Sequence, residues 1–351
     1  MVLTCVMVAA VIFMVDCNNA PVVAGDLKDE ALAFSGGGAK RFNVILDGEP
    51  LGITKYTVTY VAKPVRMADV VMGRDGPGPV EDVYAWQKMN IYVPDGVAED
   101  QDTAIILQVQ NGGWMNSPVS EAMKPGDKFV SNSENDNIGA ALKAGYIICR
   151  AGTRSRGLIA ADGTYPSHVP AVVVDAKAAI RYLKLNDTVL PGSSDLIVIT
   201  GTSCGGGLSV AVAASGNSPD YYPYLEEIGA AGINAKSESM LTDNVFATIA
   251  YCPITDLDHA DITYEWQYAK TRLLGDYTDV SVSDLMKAVS ASLATLYPPY
   301  LESLGLKLDN GTTLTAESLP SAIEARVKAG IIKAMSAGET IPEMGQNWRF
   351  V

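Results

Sequence analysis

Runs of apolar, mostly β-branched residues alternate along the chain with stretches whose apolar residues recur at helical spacing. Ile197–Thr200 is such a run, and a glycine-rich turn joins it to the small-residue stretch Cys204–Ser215. Thr103–Val109 is a second buried-strand run, and the spacing in Val169–Asn186 predicts a crossover helix. Strands and helices that alternate in this way predict an α/β fold with a mostly parallel sheet flanked by helices.

The turn after Ile197–Thr200 carries the pattern Gly-x-Ser-x-Gly, from Gly201 to Gly205. A sharp strand-to-helix turn holds a serine hydroxyl clear of the sheet, and glycines permit the close backbone contacts that such a turn needs. We therefore predict Ser203 as a nucleophile. The alternative is a glycine-rich turn that packs the strand against the helix and contains a serine without a catalytic role.

A glycine pair, Gly112-Gly113, follows the strand run Thr103–Val109. In serine hydrolases of the α/β type, a turn in this place offers one backbone N–H to the oxyanion, and the residue after the nucleophile offers another. Gly112, Gly113 and Cys204 are therefore the candidate oxyanion-hole residues. An ordinary Asn-Gly turn is the alternative.

The segment Lys143–Gly157 predicts a helix end, a short strand and a basic loop that includes Arg150, Arg154 and Arg156. These arginines would either bind a carboxylate or phenolic substrate or brace loops by pairing with carboxylates. Bracing is the favoured interpretation.

Five segments follow one another in the order seen in a known enzyme family: NGGW, GYIICRAGTRSRG, VPAVVVDAKAAIRYLKLN, GTSCGGGLS and SGNSPDYYPYLEEIGAA. The chain here resembles bacterial tannases and feruloyl-esterase-like α/β-hydrolases, roughly over residues 55–268. The resemblance implies an α/β-hydrolase fold with a helical lid or insertion after the sixth strand region. It also implies a cofactor-free serine esterase that forms an acyl-enzyme, with esters of hydroxylated aromatic acids such as gallate or ferulate as its small-molecule substrates. Asn111 stands where the family usually has histidine.

The family uses a Ser, Asp, His triad in that chain order. This chain has two histidines. His168 precedes the elbow, and His259 comes just after the strand that follows it, so neither matches the family's catalytic histidine. We therefore expect a fragment whose acid and histidine lie beyond Val351. The alternatives are an inactive hydrolase scaffold that binds ligands and an active site that recruits His259 as base.

An acidic cluster follows the strand next to the elbow strand. It contains Asp256, Asp258, His259, Asp261 and Glu265. We expect no metal site here, because the segment lacks the central glycine and the twelfth-position glutamate of an EF-hand loop. The carboxyl edge of an α/β sheet is where ligands bind, so pocket lining or lid anchoring is favoured. The candidate pocket residues are Trp114, Arg154, Asp256, Asp258 and His259.

The N-terminal residues predict export. Residues 1–16 are mostly apolar and Cys17 follows, so we interpret residues 1–24 as a signal peptide, with lipid attachment at Cys17 as the less favoured form. The protein would then be secreted or held in the cell envelope. A start codon placed too early is the alternative.

Three further segments follow this leader. Residues 25–54 predict a flexible, glycine-rich connection, residues 55–268 the hydrolase core, and residues 269–351 an incomplete helical lid. Within the lid, Ser281–Leu304 and Ala316–Ala334 have apolar residues four apart, which predicts two helices.

The charge composition limits the classes of partner that the protein would bind. With 40 acidic and 26 basic residues the net charge is −14, which disfavours nucleic acid and anionic membrane surfaces. No apolar run is long enough for a confident membrane span. The five cysteines give no regular disulfide framework. Nothing in the sequence sets the oligomeric state.

Overall fold

The computed structural model describes residues 30–73, 76–133, 135–273 and 283–339, and the backbone of Val11–Met14; of residues 268–273 it describes the backbone alone. Contacts divide the chain into two compact units, Met7–Ile254 and the part from Thr255 onward, and each is described by itself.

The strands are β1 (Val11–Met14), β2 (Lys40–Leu46), β3 (Glu49–Thr59), β4 (Val70–Gly73), β5 (Gly76–Pro79), β6 (Lys88–Pro94), β7 (Ile105–Val109), β8 (Lys128–Phe129), β9 (Ile147–Ala151), β10 (Ile197–Thr202) and β11 (Ala247–Tyr251). The α-helices are α1 (Asn137–Lys143), α2 (Ala171–Leu185), α3 (Cys204–Ala214), α4 (Tyr222–Glu227), α5 (Leu257–Leu273), α6 (Asp284–Ser303) and α7 (Leu319–Ser336). Single-turn 3₁₀ helices are Glu30–Leu32, Ala85–Gln87, Gly112–Trp114, Ser194–Leu196 and Pro219–Tyr221.

Nine of the described strands form the main sheet of the first unit, in the order β1-β11-β10-β7-β9-β6-β3-β2-β8. The strands β11, β10, β7 and β9 pair in parallel and form its centre. Beyond β9, the strands β6, β3 and β2 continue antiparallel, and β8 is parallel to β2. The predicted alternation of strands and helices around a parallel centre is confirmed.

Helices α2 and α3 pack on one face of this parallel centre. Leu107 of β7 and Ile199 of β10 are fully buried there, in one cluster with Val174 of α2 and Leu208 of α3. Successive side chains of a strand point to opposite faces, which explains why the apolar runs alternate between fully and half-buried positions. The crossover helix that the sequence predicted before the elbow strand is α2.

The structure corrects the expectation of a flexible connection over residues 25–54. Residues 40–54 belong to β2 and β3, a hairpin whose register pairs Leu46 with Glu49. Its two-residue turn is Asp47-Gly48, with φ angles of 52° and 91°. Positive φ at both positions is the requirement of a type I′ hairpin turn, which Asp-Gly favours. The hairpin is held in the sheet because Val44 and Ile53 are fully buried.

The predicted leader lies mostly outside the described residues, and so does Cys17. Within it, the backbone of Val11–Met14 pairs antiparallel with β11 at the edge of the sheet. Among the helices that the structure describes, none is both long and apolar enough to cross a bilayer.

The second unit contains α5, α6 and α7. The two helices predicted for the C-terminal region correspond to α6 and α7, and their limits differ from the predicted ones by a few residues. A small apolar core forms around Ile262 of α5 and Tyr297 and Leu301 of α6. Ser283 caps α6 by accepting a hydrogen bond from the Met286 N–H at 3.2 Å. The role of the second unit as a lid stays a prediction.

Candidate active site

Ser203 lies between β10 and α3 in a backbone conformation that side chains avoid. Its φ and ψ are 60° and −122°, the angles of the first central residue of a type II′ turn, which glycine normally occupies. The turn is tied to the end of β11, because the Ser203 N–H donates to the Tyr251 carbonyl at 2.9 Å and the Ile254 N–H donates to the Ser203 carbonyl at 3.3 Å. A strained residue fixed from both sides in this way is typical of a functional position.

The glycines around Ser203 are needed for close backbone approach. A Cβ on Gly201 would stand 2.4 Å from the carbonyl of Gly205, and one on Gly205 would stand 2.8 Å from the carbonyl oxygen of Val109. A Cβ on Gly207 would stand 2.3 Å from the carbonyl oxygen of Ile254. The strand and the helix can therefore meet at the sharp angle of an elbow only because these positions lack side chains.

We call residues Asn111–Asn116 the oxyanion loop. It follows β7, which is parallel to β10 with Gln108 opposite Thr200, so the loop leaves the sheet beside Ser203. The indole ring of Trp114 in this loop lies close to Gly207 of α3. A Cβ atom on Gly207 would be 3.4 Å from the Trp114 Cζ2 atom.

The candidate oxyanion donors are the N–H groups of Gly112, Gly113 and Cys204. None of them has a hydrogen-bond acceptor among the described residues. The N–H groups of Gly112 and Gly113 open the 3₁₀ turn, and Gly113 has φ 64° and ψ 22°. The Cys204 N–H is the first of α3 and has no acceptor within the helix. These N–H groups follow the neighbouring parallel strands β7 and β10, and their role as oxyanion donors stays a prediction.

Asn111, which stands where the resembled family usually has histidine, holds the oxyanion loop together. Its side chain is fully buried. The amide donates to the Met115 carbonyl at 3.1 Å, and its oxygen accepts from the Thr153 hydroxyl at 2.9 Å. The replacement therefore keeps a buried hydrogen-bonding group at the base of the turn.

The three arginines of the basic loop differ in what they contact. Arg154 is buried and its guanidinium bonds Asp175 at 2.8 Å, so it braces the loop. Arg150 donates to the side-chain oxygen of Gln108 at 2.8 Å. Arg156 is exposed, and its guanidinium has no partner among the described residues. It lies beside the oxyanion loop, with its Nη2 atom 3.8 Å from where a Cβ on Gly113 would be.

The two histidines lie in different surroundings. His168 lines a cleft of about 610 Å³ in the first unit, together with Tyr165 and Arg154, and Ser203 is not among the lining residues. His259 belongs to the second unit, where its Nδ1 atom is 2.6 Å from an Asp256 carboxylate oxygen.

Tyr300 completes the surroundings of His259. Its ring stacks on the imidazole with centroids 3.7 Å apart, and its hydroxyl donates to Asp256. This hydrogen bond, followed by that from His259, lowers the pKa of the Asp256 carboxyl. Asp258 is exposed on the first turn of α5. Among the residues with described positions, no group of three His, Cys, Asp or Glu side chains is arranged to hold a metal ion.

A buried ion cluster behind α3 was missed by the sequence analysis. Asp243 accepts from Lys177 at 2.8 Å and from Arg181 at 2.9 Å, and all three side chains are fully buried. Lys177 also donates to the carbonyl of Ser215, which ends α3, at 2.6 Å. Burial lowers the pKa of Lys177. The signal in the sequence was a pair of cations, Lys177 and Arg181, four residues apart on a helix whose other residues are mostly apolar.

The strand order and this elbow together identify the first unit as an α/β-hydrolase. The family follows from a sequence comparison, in which the model described as BD-FAE matches residues 89–295. Since that match covers more than half of the chain, the chain belongs to the BD-FAE family. No curated protein matches the sequence.

Solved structures of tannases are similar over most of the chain. The tannase of Fusobacterium nucleatum is 30% identical with a TM-score of 0.62, over 90% of this chain and 68% of its own. A tannin acyl hydrolase in complex with ethyl gallate is 27% identical with a TM-score of 0.62, over 89% and 66%. The tannin acyl hydrolase of Lactobacillus plantarum is 25% identical with a TM-score of 0.62, over 92% and 69%. The chain therefore spans about two thirds of the length of these proteins. The predicted resemblance to tannases is confirmed.

Proposed function

We propose that the protein hydrolyses carboxylic esters of hydroxylated aromatic acids, with Ser203 as the nucleophile. The observation that carries the proposal is the backbone of Ser203, which is held at φ 60° and ψ −122° between β10 and α3. Tannin acyl hydrolases similar to this chain were solved with ethyl gallate and with 3,4-dihydroxybenzoate, which supports an aromatic acyl group.

In the proposed reaction, the Ser203 hydroxyl oxygen attacks the ester carbonyl carbon while a general base takes its proton. The carbonyl oxygen gains negative charge and accepts from the N–H of Cys204 and from the N–H of Gly112 or Gly113. Collapse of this intermediate breaks the bond to the alcohol, which leaves with the proton. Water then attacks the acyl-enzyme, releases the carboxylic acid and restores the serine.

Arg156 is our candidate for recognition of the acyl group. Of the three arginines in the basic loop, it alone has a guanidinium without a partner among the described residues, and it lies beside Gly113. A cation there would bind phenolic oxygens or a carboxylate. We expect Arg156→Gln to lower kcat/KM for methyl gallate more than for methyl benzoate, with Arg66→Gln as the control for an exposed arginine that is paired to Asp69. An equal loss for the two esters would contradict this role.

A fluorophosphonate probe tests the nucleophile. We expect one label per chain, located by mass spectrometry on Ser203 and absent from Ser203→Ala. Hydrolysis of methyl gallate should be lost in the same variant. Labelling of another residue, or turnover that survives in Ser203→Ala, would refute the proposal.

The general base stays a prediction. An Asp and a His beyond Val351 would complete the triad, and His259 with Asp256 is the alternative. Translating the coding DNA past codon 351 and expressing the longer product distinguishes the two. Turnover that needs the added segment and survives His259→Gln supports the first; turnover by the 351-residue chain that His259→Gln abolishes supports the second.

A ligand-binding protein without turnover is the second candidate function. It is favoured by one observation, that the Ser203 hydroxyl has no hydrogen-bond partner among the described residues. This candidate predicts that gallate binds, that the probe does not react, and that a longer product is equally inert. A single turnover of ethyl gallate would exclude it.

Export also stays a prediction. Cleavage after residue 24, or lipid attachment at Cys17, would appear in the intact mass of the protein isolated from its natural source. A mass that includes Met1 and the following residues would contradict both.

A further inference from the structure

A buried ion pair joins the basic loop to helix α2. Asp175 of α2 is fully buried, and its Oδ1 atom accepts from the Arg154 guanidinium at 2.8 Å. Its Oδ2 atom accepts from the backbone N–H of Arg154 at 2.7 Å. The carboxylate therefore fixes both the side chain and the main chain of Arg154. The Gln87 amide donates to Oδ1 as well, at 3.0 Å.

The residues on either side of Arg154 hold the oxyanion loop. The Thr153 hydroxyl donates to the side-chain oxygen of Asn111 at 2.9 Å. The Ser155 hydroxyl donates to the carbonyl of Trp114 at 2.6 Å. Trp114 has φ 54°, a left-handed conformation that is unfavourable for a bulky side chain. These hydrogen bonds oppose relaxation of the loop at the residue directly after the candidate donors.

Stability alone is a weak reason for such an ion pair. Desolvation of two buried charges offsets most of their attraction, so apolar replacements are often neutral or stabilising. What the pair supplies is a fixed position for Thr153 and Ser155. Catalysis by backbone donors depends on that kind of fixed geometry, because a misplacement of about 1 Å can lower a rate about 100-fold.

We propose that Asp175 and Arg154 are positioning residues for the oxyanion hole, acting through Thr153 and Ser155 on the loop that carries Gly112 and Gly113. This inference rests on the proposed function of Ser203. It assigns the buried arginine of the basic loop to catalytic geometry and leaves substrate contact to its exposed neighbour.

Substitutions at Thr153 separate positioning from packing. Thr153→Val keeps the shape and removes the hydroxyl, whereas Thr153→Ser keeps the hydroxyl and removes a buried methyl group. Two quantities are measured in each folded variant: the second-order rate constant for fluorophosphonate labelling of Ser203, and hydrogen–deuterium exchange of the peptide that contains Gly112 and Gly113. Thr103→Val is the matched control, since the Thr103 hydroxyl also donates to a carbonyl, that of Gly145 at 3.0 Å, and Thr103 precedes β7 whereas the oxyanion loop follows it.

Positioning predicts that Thr153→Val lowers the labelling rate about tenfold to 100-fold and speeds exchange of the loop amides, while Thr153→Ser and Thr103→Val stay near wild type. Arg154→Lys, which keeps the charge but loses the fork of donors, should behave like Thr153→Val. If Thr153 acts only by packing, Thr153→Ser should label more slowly and exchange its loop amides faster than Thr153→Val. That result would overturn the inference. Unchanged exchange and labelling in Arg154→Lys would overturn it too.

Failure of the proposed function is recognised separately. If the wild-type chain is not labelled at all, Ser203 is not a nucleophile in this chain, and the exchange rates still decide whether Thr153 and Arg154 hold the loop. Loop exchange that rises in Thr153→Val and in Arg154→Lys, but not in Thr153→Ser, would then support the brace without the catalysis.

Discussion

Replacement of Ser203 by glycine should stabilise the protein relative to replacement by alanine. Any side chain at φ 60° and ψ −122° is strained, and such a conformation costs about 1–3 kcal/mol. Ser203→Ala keeps the Cβ atom and therefore the strain. Ser203→Gly removes the strain but adds about 0.5–1 kcal/mol of backbone entropy cost. Together these effects leave glycine more stable than alanine by up to about 2.5 kcal/mol.

Ser209 is the control on the same helix. It lies inside α3, where glycine is less stable than alanine by about 1 kcal/mol, and its buried position adds the loss of a methyl group. The order of stability of the two variants should therefore reverse between position 203 and position 209. The reversal itself is the evidence for a strained elbow, and it does not depend on whether the chain turns over a substrate.

The assay is equilibrium unfolding in urea, monitored by tryptophan fluorescence. The free energies of unfolding of the four variants are compared where their dependence on urea concentration, the m-value, is equal. A change of 1 kcal/mol also shifts the thermal midpoint by about 2–4 °C for a domain of this size. If glycine is less stable than alanine at position 203 by the same amount as at position 209, the residue is unstrained and the reasoning is wrong. Variants whose urea slopes differ would be excluded from the comparison, since their unfolded states differ.

Three further outcomes are expected. Asp243→Asn should lose about 3–5 kcal/mol of stability in urea unfolding, because it leaves two buried cations without their carboxylate; a loss below about 1 kcal/mol would contradict their pairing. Gly207→Ala should lower the melting temperature by overpacking against a backbone carbonyl, at about 1–3 kcal/mol, whereas Gly330→Ala in open space on α7 should raise it slightly. Because the pKa of Asp256 is lowered in the folded chain, chiefly by the hydrogen bond from Tyr300, its stabilisation is present above the unfolded pKa and disappears as the pH falls through the folded value. Unfolding between pH 6 and pH 3 should therefore be less pH-dependent in Asp256→Asn, and an unchanged pH dependence would contradict this.

The parallel centre of the sheet and the elbow could be predicted from the sequence because their signals are local. Ile197–Thr200 is apolar and β-branched, and the glycines that follow it within a few residues indicate a tight strand-to-helix turn. The hairpin of β2 and β3 was missed for a different reason. Its strands lie partly at the surface, so their alternation is weak, and the Asp47-Gly48 turn was the decisive signal.

The contacts of the candidate site could not be predicted, because they join residues far apart in the chain. Thr153 meets Asn111, and Arg154 meets Asp175, only once β7, β9 and α2 have packed together. The sequence supplied the arginines and left two uses for them. The fold decides between these uses residue by residue, since burial beside a carboxylate marks a brace and exposure beside Gly113 marks a candidate contact.

Helix α2 connects the two halves of the candidate site. Its Asp175 fixes Arg154, whose neighbours Thr153 and Ser155 bond the oxyanion loop, and its Lys177 bonds the Ser215 carbonyl at the end of the helix that follows Ser203. Both contacts use charges buried inside the first unit, where apolar side chains would serve stability as well or better. An apolar contact tolerates sliding, whereas a carboxylate with several fixed donors has one arrangement that satisfies them all. The buried charges of α2 therefore favour one arrangement of the oxyanion loop and of the helix that follows Ser203.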